Sequence, residues 1–132
     1  MEPEKNLEPC SEKVIYKCEI PFKMPSLNDY IRENRSNKYK GAQMKKSLER
    51  DIGLYIHRLP VFNKPIHIHF IWVEGNKRRD LDNIAFAKKF ILDAMVKAGK
   101  LKDDNRRYVT AFSDSFEYGD NFKVILEIED AI

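Results

Sequence analysis

Residues 66–98 constrain the fold most. Ile66, Ile68, Phe70 and Trp72 alternate with His67, His69, Ile71 and Val73, the period of two expected of a strand buried on one face and partly on the other. Such a strand belongs in the middle of a sheet. From Ile84 to Ala98 the pattern becomes a strongly apolar helix, and Gly99 stands where a left-handed C-terminal cap falls. Apolar residues surround most of this helix, so it needs cover on more than one side, from the sheet and from a possible partner chain.

The rest of the chain supplies that cover. Val14, Tyr16, Cys18, Ile20 and Phe22 alternate with Ile15, Lys17 and Glu19 as a first strand, and Ser26 with Asp29 three residues on reads as a capped helix start. Residues 33–41, rich in Asn, Ser and Lys, predict an irregular, mobile connection. Met44, Leu48, Ile52, Tyr55, Ile56 and Leu59 then mark a helical stripe ending before Pro60. Tyr108, Thr110 and Phe112, and later Phe122, Val124, Leu126 and Ile128, alternate as two strands expected to form a hairpin through residues 117–121. The order β-α-β-α-β-β predicts an α/β (α+β) fold, a mixed four-stranded sheet with helices packed on it.

With 132 residues the chain suits one domain, residues 13–132, preceded by a loose polar arm over 1–12 that carries Pro3 and Pro9. Cys10 and Cys18 show no metal-ligand spacing, which fits a reduced, cytoplasmic setting. No long apolar run or signal-peptide pattern points to a membrane.

Charge is distributed unevenly. Arg32, Arg35, Lys38, Lys40, Lys45, Lys46 and Arg50 are opposed by only Glu33 and Glu49 over the same stretch. With Lys77, Arg78 and Arg79 they make a field able to neutralise phosphates, although such runs are usually just solvated helix faces. His67 and His69 share one side of their strand, but two histidines without a third ligand are more often packed or hydrogen-bonded than metal-bound.

The segment Lys77-Arg78-Arg79-Asp80-Leu81-Asp82-Asn83 lies between buried strand and buried helix. Positions two apart on a helix do not face each other, so Asp80 and Asp82 converge only if Asp80 is still extended and Asp82 sits near the cap. There, free amides and the helix dipole favour negative charge. The plain alternative makes one of them an ordinary N-cap and leaves the other idle. Asp103 and Asp104, taken alone, read as a solvated turn.

Taken together, Arg78-Arg79-Asp80-Leu81-Asp82-Asn83, the helix end Asp93-Ala94-Met95-Val96-Lys97-Ala98-Gly99, Asp103-Asp104 and the earlier Pro25-Ser26-Leu27-Asn28 resemble the RusA family of Holliday junction resolvases. The resemblance extends from about Val14 to the end of the chain. It implies a homodimeric, magnesium-dependent endonuclease, of a family often carried by prophages, that resolves four-way DNA junctions by paired nicks in recombination and repair. By position, Asp80, Asp82 and Asp104 become the catalytic and metal-binding carboxylates, with Asp103 as substitute if the register slips. Arg79 becomes a phosphate ligand. Where the family's best-known members carry a catalytic lysine, this chain has Phe86. At about 100° per residue Lys89 falls near Asp82's face two turns along and Lys88 points away, which makes Lys89 the expected replacement. Lys77, Arg78, Arg32, Arg35, Lys38, Lys40, Lys45 and Lys46 would hold the branched DNA. A non-catalytic branched-DNA-binding protein, or a nuclease for flaps and forks, would use the same basic field.

Overall fold

The computed structural model describes residues 14–131. The expected arm over 1–12, with Cys10, lies outside the described residues. Along the chain run β1 (Ile15–Ile20), α1 (Leu27–Ser36), α2 (Lys38–Ile56), β2 (Ile66–Glu74), α3 (Leu81–Ala85), α4 (Lys88–Lys97), β3 (Val109–Tyr118) and β4 (Lys123–Asp130). They form the expected α+β fold, one four-stranded mixed sheet with the order β1-β4-β2-β3.

Inward residues of neighbouring strands line up in rows. Cys18 pairs with Leu126 and Leu126 with Phe70; Ile20 pairs with Val124 and Val124 with Trp72. The rows pack beneath Ile52 and Ile56 of α2 and beneath Phe90, Ile91, Ala94 and Met95 of α4, all buried. In this layer the Cys18 thiol donates to the Tyr55 carbonyl at 3.6 Å, and burial raises its pKa.

The expected β3–β4 hairpin does not form. β2 lies between the two strands, antiparallel to β4 and parallel to β3. Burial explains the order. Val124, Leu126 and Ile128 are all buried and need strands on both sides, whereas Phe112 of β3 is half exposed and tolerates the rim. The parallel pair is reached through α3 and α4, the crossover that parallel strands require. The β3–β4 connection must therefore pass the end of β2. It does so over Gly75, where an added Cβ would stand 2.7 Å from the Phe122 ring.

Residues 33–41 are also corrected, from a loop to two helices meeting at one residue. Asn37 is extended (φ −170°, ψ 123°); it ends α1 and caps α2 by accepting from the Tyr39 amide at 2.8 Å. Of all the polar residues there, only Asn37 breaks the helix. At the other end of α1, Ser26 and Asp29 form the expected reciprocal capping box. Burial works against the Asp29 carboxylate, yet its bonds to Ser26 and the nearby Arg32 leave its pKa lowered.

The helix expected over 84–98 is split. Between α3 and α4 the amides of Ala87, Lys89 and Phe90 bond to carbonyls three residues back, a tighter turn than the α-helix. α4 then ends as expected, with Gly99 at φ 75° and the Lys100 amide reaching back to the Met95 carbonyl at 2.9 Å.

Leu126 is fully buried in the central row, so Leu126→Ala should cost about 3 kcal/mol of unfolding free energy. Tyr39, 71% exposed, should change stability by less than about 0.5 kcal/mol when replaced by alanine. Urea titrations of the two variants check both values.

Candidate functional site

The segment after β2 is organised by a charge buried at the strand's last residue. The Glu74 carboxylate accepts from Arg79 Nε at 2.8 Å and from Arg79 Nη2 at 2.7 Å, and Arg79 Nη1 donates to the Met24 carbonyl at 2.7 Å. The two side chains are only 7% and 13% exposed. Every guanidinium nitrogen is thus taken up within the fold. Arg79, expected on a phosphate, is instead the strut that closes residues 74–79 into a loop and ties it to the start of α1.

Asp80 follows that strut directly. It occupies the N-cap position of α3 in extended conformation (φ −74°, ψ 153°), yet its side chain makes no capping bond. Asp82 lies in the first turn of the same helix. Both carboxylates are exposed, and among the described residues neither has a hydrogen-bond or ion-pair partner. The extended-then-helical backbone is the one the spacing requires, and the plain N-cap role is not taken by Asp80.

Asp104 stands elsewhere. With Asp103 it lines a cleft formed by Lys45 and Glu49 of α2 and Lys89, Asp93, Val96 and Lys97 of α4. The Asp103 carboxylate accepts from the Asp104 amide at 2.7 Å. Burial, then its hydrogen bond to the Asp103 side chain and the charges of Asp93 and Asp103, raise the Asp104 pKa. Lys45 answers from across the cleft, 3.2 Å from Asp93 and 3.9 Å from the buried Glu49, and its hydrogen bond to Asp93 leads the causes that raise its own pKa. Among the described residues no three of His, Cys, Asp and Glu are grouped to hold a metal ion. The cleft that Asp104 lines includes neither Asp80 nor Asp82. Asp80 and Asp82 alone still suit magnesium, which commonly takes one or two carboxylates and completes its shell with water and substrate phosphate.

The lysines divide as their positions suggest. Lys89 joins the Asp104 cleft, 3.8 Å from Asp93 and 62% exposed. Overwinding between α3 and α4 breaks the angular extrapolation from Asp82 to Lys89. Lys88 donates to Asp114 at 2.7 Å and lies over the Phe112 and Phe70 rings. Asp114 also accepts from the Trp72 indole at 2.9 Å, so Lys88 is a packed structural cation. Phe86 sits among Tyr30 and Phe90, ring centroids 5.8 and 5.4 Å away, half-buried where the resemblance expects a lysine.

Of the basic candidates, Arg32 is paired with Asp29 at 2.6 Å and Lys45 with Asp93 and Glu49. The side chains of Arg35, Lys38, Lys40, Lys46 and Arg78 are exposed, without an ion-pair partner among the described residues. The Lys77 ammonium lies 4.9 Å from the centre of the Tyr118 ring. His69 shares both ring nitrogens with the Ser113 and Ser115 hydroxyls, and His67 is 3.7 Å from Glu129. Both are on the sheet face away from the helices. Sequence reasoning missed Glu74, Asp93 and Glu49. Glu74 carried a faint signal, as an acidic residue closing a strand that is apolar from Phe70 to Val73.

Compared with known proteins, the chain matches no family model and no curated protein.

Replacing Arg79 by Met leaves the Glu74 charge buried and unpaired, and should cost about 3 to 5 kcal/mol. Adding Glu74→Gln should recover part of that loss. A double-mutant cycle by chemical denaturation measures both steps.

Proposed function

We propose that this protein is a magnesium-dependent endonuclease for branched DNA, resolving four-way junctions as the RusA-like motifs imply. The observation that carries the reading is the pair of unpartnered carboxylates, Asp80 and Asp82, presented on a loop closed by the Glu74–Arg79 ion pair. Free carboxylates beside free cations are what a hard metal ion and a phosphodiester both need. Asp80 and Asp82 would hold magnesium, which when bound polarises the phosphate and activates the attacking water. Arg78, exposed beside them, would contact the DNA backbone, and so would Arg35, Lys38, Lys40 and Lys46 along α1 and α2. Binding of this kind weakens steeply with salt. Lys89 would act with Asp104, whose cleft it shares.

The place of Asp104 bears on the expected homodimer. Asp104 lines a cleft with Asp93 and Lys89 that does not include Asp80 or Asp82. A symmetric pair of chains lets Asp104 of the partner subunit complete each site, and it supplies the two equivalent centres that paired nicks need. A non-catalytic branched-DNA-binding protein would use the same cations without needing the carboxylates.

The test is cleavage of a labelled four-way junction and of linear duplex, with magnesium and with chelator. Wild type should nick the junction only with magnesium. Asp80→Asn and Asp82→Asn should each lower the rate at least about a hundredfold while junction binding persists. Mixing inactive Asp80→Asn with inactive Asp104→Asn should restore nicking, because one site of each mixed dimer is then intact. Tight, metal-independent binding without cleavage by wild type would instead establish the binding-protein reading.

A further inference from the structure

We infer that Tyr118 is a stacking shelf for a nucleobase turned out of the DNA duplex next to Asp80 and Asp82. The inference rests on the DNA reading above and adds to it what the site does with the branch point.

Two aromatic rings lie where the β3–β4 connection crosses the end of β2, and the fold uses only one. Phe122 packs on Gly75 and faces Lys23 Nζ at 4.5 Å and the Arg79 guanidinium at 6.0 Å, so it holds the crossing together. Tyr118 ends the edge strand β3 and is 57% exposed. Among the described residues its ring meets no other aromatic ring, and its cation neighbour is Lys77. Lys77 is three residues before Asp80, which limits the separation along the backbone to about 10 Å. An exposed aromatic ring, a cation over it and free carboxylates on the loop that carries this cation form the kind of surface on which an unpaired base stacks while its phosphate is held.

The adjoining groove is of mixed charge. Tyr118 and Phe122 line it with three acidic side chains, Glu19, Glu117 and Asp120, and two basic ones, Lys23 and Lys123. These nearly balance, so the groove gathers no excess of positive charge for a phosphate, while Lys77 and Arg78 on the loop side attract the phosphates. Branch points supply such bases cheaply, because their flanking pairs are already strained or open.

The test uses a four-way junction with 2-aminopurine at the branch point and a linear duplex of the same sequence, both in chelator so that nothing is cut. Wild type should bind the junction with a change in 2-aminopurine fluorescence. Tyr118→Ala should lose that change and lower the junction-over-duplex affinity ratio about tenfold, with duplex affinity unchanged, while Tyr118→Trp keeps both. An unchanged ratio and an unchanged fluorescence response in Tyr118→Ala would overturn the shelf alone. Failure of wild type to bind either DNA would overturn the nuclease reading itself, and the shelf with it.

Discussion

A buried ion pair at the end of a buried strand organises the functional end of this molecule. Burying Glu74 and Arg79 incurs a large desolvation cost, and two short parallel hydrogen bonds plus the Met24 carbonyl offset it. The geometry follows from that requirement. Arg79 must fold back onto the strand it has just left, so residues 75–78 become a tight loop and Asp80 emerges from a fixed point. Within that loop the Asn76 side chain also accepts from the Arg78 amide at 3.0 Å. The carboxylates of Asp80 and Asp82 can then stay unpartnered, since the fold does not call on them.

Sheet order brings the remaining parts to the same place. Because β4 runs between β1 and β2, and β3 is added in parallel on the far side, three connections gather at one end of the sheet. These are the turn into α1, the loop after β2 and the β3–β4 crossing. Each touches the next: Arg79 reaches Met24, Lys77 lies over Tyr118, and the Gly119 amide donates to the Glu74 carbonyl at 3.0 Å. A hairpin between β3 and β4 would have closed this end differently and left no crossing over Gly75.

What could be read from the sequence was what local periodicity and local chemistry encode. The alternation in Ile66–Trp72 marked an inner strand, Ser26 and Asp29 marked a helix start, and Gly99 marked a helix end. Even the extended conformation of Asp80 before the turn holding Asp82 followed from their spacing. Partner choice did not. Nothing near β3 and β4 states that β2 intervenes, because that order depends on which strand is more completely buried. Polar residues around Asn37 looked like a loop because helix packing, absent from a local pattern, overrides weak propensity. Arg79 looked like a phosphate ligand for the same reason: its partner is fixed by three-dimensional closure. Asp104 was placed by resemblance alone, and the chain's own contacts assign it to the cleft with Asp93 and Lys89.

The proposed magnesium site is Asp80 and Asp82, and the other acidic group of the chain is the Asp93, Asp103 and Asp104 cleft. Titrating the isotope-labelled protein with manganese, as a paramagnetic stand-in for magnesium, and following amide line broadening tests that assignment directly. Broadening centred on residues 80–83, reaching Asp103 and Asp104 only under conditions where the protein dimerises, is the result expected. Broadening centred on Asp93, Asp103 and Asp104 in the monomer, with residues 80–83 unaffected, would contradict it.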